Sequence, residues 1–333
     1  MYVKILLTIK LGGIFMFDIV SLGELLIDFT PLGLSDKGNF IFESNPGGAP
    51  CNVLAQGAKL GLETAFIGKV GSDTFGLFLK DTIENIGIDT KGLKLTDDAF
   101  TTLAFVTLDK DGNRSFAFSR NNSADVCLTE DEVDENLIKN TKIFHIGTLS
   151  LTHPCVKKAT LKALNIAKEN GVNISVDPNL RMPLWKSEND AKEAIDLALS
   201  YADIIKISDY EIEFLTGERD VTKGAKILCE KYKPHILFAT CGKDGAFVLK
   251  DDIIIHHPCF DCVKTIDTTG AGDSFCGSSL KKLLDYNLDF ASLTKENLFD
   301  IIKYASGAAS LATTKYGAIS IMPNDEEIQN LIK

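Results

Sequence analysis

The sequence has no long apolar run, little cysteine and a deficit of basic charge. Its 333 residues include eight cysteines, too few for a disulfide-stapled scaffold. One pair, Cys259 and Cys262, has CxxC spacing. A zinc site would need a second such pair, and the sequence offers none. The stretch 253–266 around that pair reads as strand, where residues three apart face opposite sides, so the pair reads as incidental. Lys and Arg number 35 against 46 Asp and Glu, for a net charge of -11. A surface that acidic argues against nonspecific binding of nucleic acid or of an anionic membrane. It does not argue against a small anionic ligand held at a local site.

Residues 1–15 (MYVKILLTIKLGGIF) are apolar but broken by Lys4 and Lys10. The run is too short to span a bilayer and has no small-residue cleavage site. Met16 directly precedes a strand-like run, so we read 1–15 as a non-native or disordered leader and 16–333 as the folded domain. Reduced cysteines and the lack of an export signal lead us to expect a cytoplasmic protein.

Hydrophobic residues make up 45% and charged residues 24%, which are globular values. Apolar runs at 143–146, 172–176, 203–207, 236–240 and 246–249 read as strands. They alternate with helical patterns at 154–170, 189–200, 209–215, 222–232, 273–285 and 296–313. Such alternation implies βαβ units, hence an α/β fold with a mostly parallel sheet covered by helices on both faces. Two segments break the rhythm. Segment 28–45 is turn-rich with an alternating stretch. Segment 99–120 reads as a hairpin around the turn Asp109-Lys110-Asp111-Gly112. Together they predict a small antiparallel β lid over the strand C-termini, or plain surface hairpins.

The densest chemistry lies in Asp267-Thr268-Thr269-Gly270-Ala271-Gly272-Asp273. Small residues at 270–272 let backbone N–H groups converge at a helix N-terminus, which makes an anion hole. The helix dipole favours a charged carboxylate at Asp273. A carboxylate beside an anion hole repels a resting phosphate. It suits a phosphoryl group in transit, with the carboxylate taking the proton of the attacking hydroxyl. A glycine-rich turn capped by Asp is the plainer alternative. A P-loop is excluded because Ser278 stands where its lysine belongs, and a dinucleotide fingerprint fails at Phe275. A second glycine loop, Gly47-Gly48-Ala49-Pro50-Cys51-Asn52, allows close approach of a ligand to the backbone. Asn52 offers a donor and an acceptor, and Asp28 could accept two hydroxyl hydrogen bonds.

With these two loops in this order, and Gly61 and Gly71 after the first, the chain resembles the PfkB (ribokinase-like) carbohydrate kinases from Met16 onward. It is most similar to the fructokinases of that family. The supporting segments are Gly23-Glu24-Leu25-Leu26-Ile27-Asp28, Arg120-Asn121-Asn122-Ser123-Ala124-Asp125, Asp177-Pro178-Asn179-Leu180-Arg181 and Lys206-Ile207-Ser208-Asp209-Tyr210-Glu211.

The resemblance implies a ribokinase-like fold and an ATP-dependent sugar kinase with D-fructose as substrate. Asp273 matches the catalytic base, and Gly270, Ala271 and Gly272 match the anion hole. Asp28, Gly48 and Asn52 match sugar-binding positions, with Arg120 as a lid contact to the sugar. Glu211 matches the acidic position that organises Mg2+ through water. Thr240, Gly242 and Gly245 match the nucleotide loop, and Lys206 and Arg181 lie where cations could face phosphates. Asp267, Thr269 and Gly317 match a monovalent-cation (K+) site built largely from backbone oxygens. Leu54, Ser208, Ser278, Ser279 and Ser306 depart from the usual family residues. The rival readings are the same chemistry on 2-keto-3-deoxygluconate, ribose or a nucleoside, and a noncatalytic sugar-binding regulator. Open lid edges suggest a homodimer through the lid.

Overall fold

Strands with continuous apolar sequence need cover on both faces. The computed structural model, which describes residues 17–108, 114–260 and 262–333, shows that cover. The chain runs β1 (Phe17–Leu22), β2 (Leu26–Leu34), β3 (Phe40–Gly47), α1 (Ala49–Lys59), β4 (Thr64–Gly71), α2 (Thr74–Asn85), β5 (Ile88–Asp89), β6 (Leu93–Thr96), β7 (Leu103–Leu108) and β8 (Arg114–Ser119). It continues through α3 (Glu135–Lys139), β9 (Thr141–Gly147), α4 (Pro154–Glu169), β10 (Asn173–Asp177), α5 (Glu188–Leu199), β11 (Ile204–Ser208), α6 (Asp209–Thr216), α7 (Val221–Tyr232) and β12 (Ile236–Thr240). It ends with β13 (Ala246–Lys250), β14 (Ile253–His257), α8 (Ala271–Asp285), α9 (Lys295–Ala312) and α10 (Asp325–Ile332).

Among the described residues the main sheet has ten strands, in the order β14-β13-β12-β11-β10-β9-β1-β4-β5, with β6 also on β4. From β12 through β5 the pairings are parallel; β13 and β14 add antiparallel at one edge. Alternate residues of one strand enter different cores. Ile204 joins the core with α1, α2, α8 and α9, while Ile205 and Ile207 join the core with α4, α5 and α7. That two-sided burial explains the unbroken apolar runs.

The second sheet has the order β3-β2-β7-β8. Each hairpin is antiparallel as expected, and the two are joined by a parallel β2–β7 pairing. Strand alternation puts Asp28 and Phe29 on opposite faces. The Phe29 ring stacks on Phe105 at 5.0 Å and meets Phe75 of α2 edge-on at 5.6 Å, which ties this sheet to the main body. The opposite face turns Asp28 and Phe118 toward the C-terminal ends of the main strands.

One expected element is shorter. The strand predicted over 253–266 stops at His257. Pro258 has no N–H to continue the ladder, and the chain leaves the sheet there. Residues 1–15 and the turn 109–112 lie outside the described residues. Among the described residues no helix is long and apolar enough to cross a membrane.

Candidate functional site

Strands β10, β11 and β12 end side by side, and α8 begins opposite them. Its first residue is Ala271, two positions earlier than the sequence pattern indicates, so Asp273 falls in the first turn. Gly270 holds the N-cap in a left-handed conformation (φ 74) with no side chain bonded to the helix end. The first N–H groups of α8 therefore lack partners within the helix, and that of Ala271 makes only a long bond, 3.3 Å, to the Thr268 carbonyl.

Two cavities meet at this point. One, of about 410 Å³, lies under the small sheet and is lined by Asp28, Gly48, Asn52, Phe118, Arg181, Lys206, Glu211 and Asp273, among others. The other, of about 560 Å³, is more apolar and is lined by Thr240, Gly242, Gly245, Ala271 and Ser306, among others. Thr240, Thr268 and Gly272 belong to both walls. The anion hole expected at 270–272 thus sits at the junction of two ligand-sized spaces.

Asp273 accepts a hydrogen bond from Asn52 Nδ2 at 2.7 Å. Burial pushes its carboxyl up to about 6, with the Asp177 charge adding to the rise; the Asn52 bond, Lys206 and Arg181 oppose it. The helix dipole alone would suggest an ordinary carboxylate, and burial outweighs it. The group is still mostly ionised at neutral pH. Asn52 Oδ1 is buried with no partner among the described residues, which leaves an acceptor open for a ligand hydroxyl. Asp28 is pushed up to about 7, again by burial, and a Cβ on Gly47 would lie 2.4 Å from its Oδ2. A side chain at that position would push the Asp28 carboxylate out of its present place.

Lys206 Nζ donates to Asp177 Oδ2 at 2.9 Å. Burial works against its charge, but Asp177, Glu211 and Asp273 outweigh burial and hold the ammonium above its usual range. A Cβ on Gly272 would come within 3.1 Å of Lys206 Nζ, so the ammonium stands over the anion hole. Glu211 accepts from Leu180 N–H at 2.7 Å and from Ser208 N–H and Oγ at 2.8 Å. Ser208, a departure from the family pattern, closes a capping box on α6.

In the second cavity Gly245 (φ 93) is fixed by space, since a Cβ there would lie 2.1 Å from the His257 carbonyl oxygen. Ser306 Oγ is buried on this wall with no partner among the described residues. Asp267 and Thr269, in the turn before α8, meet Gly317 of the connection between α9 and α10. Asp267 Oδ1 accepts from Thr269 N–H at 2.8 Å and Oγ1 at 2.7 Å, and Oδ2 accepts from Gly317 N–H at 3.5 Å.

Arg120 departs from its expected place. Its guanidinium donates to Asp125 at 2.7 Å, to Thr152 Oγ1 at 2.7 Å and to the Leu149 carbonyl at 3.0 Å. It sits behind the wall formed by Leu149 and does not line the first cavity. With its fork occupied and buried, Arg120 braces the wall and does not reach into the space. Glu24, to which the sequence reading gave no role, does line that cavity. Its Oε1 accepts from Ala49 N–H at 3.0 Å and supplies the cap that Gly48 cannot give α1. The available signal was an acidic residue set in the otherwise apolar stretch Gly23-Glu24-Leu25-Leu26-Ile27.

Comparison with known proteins identifies the family. Residues 16–325 match the pfkB family of carbohydrate kinases. Probable fructokinase-2 of Arabidopsis thaliana is 40% identical over 321 residues, covering 95% of each chain. The crystal structure of a fructokinase with bound ATP from Xylella fastidiosa superposes with a TM-score of 0.86 at 29% identity, covering 95% of this chain and 98% of that one. A double mutant of fructokinase from Vibrio cholerae O395, with fructose, ADP and a potassium ion bound, gives 0.83 at 29% identity, covering 96% and 99%. The family match over nearly the whole folded chain and the fructokinase relatives settle the class: the chain belongs to the PfkB family of carbohydrate kinases and is a sugar kinase.

Proposed function

We propose that the protein is an ATP-dependent fructokinase that converts ATP and D-fructose to ADP and fructose 6-phosphate. The observation that carries this reading is Asp273 at the open N-terminus of α8, where the two cavities meet. The polar cavity suits a sugar, with Asp28 and the unpartnered Asn52 Oδ1 as hydroxyl acceptors. The more apolar one suits a nucleotide, with Gly242 and Gly245 giving room and Ser306 offering a polar contact. Asp273 takes the proton of the C6 hydroxyl of fructose as that hydroxyl's oxygen bonds to the γ-phosphorus and the bond to the ADP oxygen breaks. The N–H groups at 270–272, with Lys206 and Arg181, stabilise charge on the transferring group.

Mg2+, when bound, neutralises phosphate charge. Both Glu211 oxygens already accept hydrogen bonds from the chain, which suits a hold on the ion through water. The family resemblance supports a K+ site at Asp267, Thr269 and Gly317; hydrogen bonds from Thr269 and Gly317 to the Asp267 carboxylate hold the two loops together, and backbone oxygens there would hold the cation beside the start of α8. The small sheet acts as the lid that keeps water from the phosphoryl group. The test is product analysis. Incubation with Mg-ATP and fructose should give fructose 6-phosphate, told from the 1-phosphate by phosphorus NMR against both standards, and the 1-phosphate or inorganic phosphate alone would refute the reading.

The base must be ionised to act. Because Asp273 is pushed up to about 6, kcat/KM should carry an acid limb at about 6, below the limb that Asp28, pushed up to about 7 in the sugar cavity, contributes. A limb near pH 4 would mean that burial does not raise this group as the structure implies.

The lid also supports the homodimer reading. Leu32 and Leu34 (each 62% exposed) and Phe40 (77%) crowd the end of the β2–β3 hairpin, and β3 is an edge strand. Sedimentation should show a dimer that Phe40→Asp converts to monomer. A monomeric native protein would remove this proposal.

A further inference from the structure

Asp177 lines neither cavity. It is buried at the C-terminal end of β10, 2% exposed, beneath the point where they meet. One carboxylate oxygen accepts from Asn179 N–H at 3.2 Å and the other accepts from Lys206 Nζ at 2.9 Å. A buried carboxylate is costly unless paired, and nothing in the proposed chemistry uses this one directly.

Its partner shows what it does. Lys206 is a flexible point charge whose ammonium stands over Gly272, at the anion hole. The other anions that act on it are Glu211 on α6 and Asp273 on α8, the proposed base. Without Asp177, the ammonium would turn to those two. A lysine bound to the base would weaken the base and leave the anion hole. We propose that Asp177 is a positioning residue that anchors Lys206 over the anion hole and keeps the ammonium off Asp273. The proposal rests on the kinase reading above.

The electrostatic surroundings point the same way. Asp273 is faced by Asp177 on β10, Lys206 on β11, Arg181 in the loop after β10, Asn52 on α1 and Asp28 on β2. Cys276 lies on its own helix, one turn on, with its thiol held up by burial and by Asp177. His145 on β9, near Lys206, is driven down to about 3, chiefly by burial, and stays neutral. Among these groups, Asp177 is the charge that most strengthens the base. Removing its charge lowers the proton affinity of Asp273, and releasing Lys206 toward Asp273 lowers it further. The two effects have the same sign.

The test is Asp177→Asn, which keeps the shape and removes the charge. We expect kcat to drop about tenfold or more with the KM for fructose within about threefold. The Asp273 limb of kcat/KM should move to lower pH by about half a unit or more. The double variant Asp177→Asn with Lys206→Met should be no slower than Lys206→Met alone, because one residue acts through the other. Asp177→Glu should restore part of the rate, and thermal melts of all variants report folding. A carbon-13 titration of Asp273 in wild type and Asp177→Asn reads the same effect without turnover. Wild type that phosphorylates no sugar, with the titration shifted, would sink the kinase reading and keep this inference. Active wild type, with an unshifted titration and losses that simply add in the double variant, would overturn the inference and keep the reading.

Discussion

Asp273→Asn should leave a folded protein that binds fructose and ATP but turns over about 10²–10⁴ times more slowly, the usual worth of a positioned general base. The amide keeps the shape of the carboxylate and still accepts from Asn52, whose Nδ2 lies 2.7 Å from Asp273 Oδ2. It cannot take the hydroxyl proton. Sugar affinity should change little, because Asp28 on β2 and Asn52 on α1, the proposed sugar contacts, line the same cavity and are unchanged. Steady-state kinetics separate the outcomes: a loss in kcat fits the assignment, and a near-normal kcat refutes it. Relief of buried charge should also raise the melting temperature slightly, since the wild-type carboxyl is pushed up to about 6.

Gly48→Ala should do comparable damage by another route. Gly48 lies at φ 122, where a side chain is strained, and a Cβ there would sit 2.3 Å from the Glu24 carbonyl oxygen and 3.1 Å from Leu25 Cα. Backbone must move, since no flexible side chain can yield. The displaced loop carries Ala49, whose N–H is held by Glu24, and it begins the helix that aims Asn52 at Asp273. Strain of this kind costs roughly 1–3 kcal/mol. A misplacement of about 1 Å at a reacting site costs on the order of 100-fold in rate. Calorimetry and kinetics on the variant should show both losses. Unchanged melting and kinetics would mean that the loop tolerates a Cβ and does not set the site.

The candidate site was legible where its features are local. The loop at 267–273 stands out because a helix start, small residues and a carboxylate occur within a few positions. The doubly buried strands were legible because their apolar runs are continuous. What depends on distant packing was not legible. The parallel pairing of β2 with β7 joins residues far apart in the chain, and nothing in either segment specifies the partner. Arg120 suggested a sugar contact until Asp125, Thr152 and Leu149 were seen to occupy its guanidinium. That Asp273 is ionised at neutral pH could be read from the helix start, but its rise to about 6 could not, because burial comes from every element packed above it. The strand predicted over 253–266 ran too far because apolar residues continue past the proline that ends it.

The most direct measurement is ADP release from Mg-ATP, followed by a coupled assay with fructose, glucose, ribose, 2-keto-3-deoxygluconate and adenosine, each with and without potassium. The account predicts a clear preference for fructose, with potassium raising the rate. Turnover of another substrate in preference to fructose would contradict the substrate assignment, and binding of fructose without ADP release would contradict the catalytic role of Asp273.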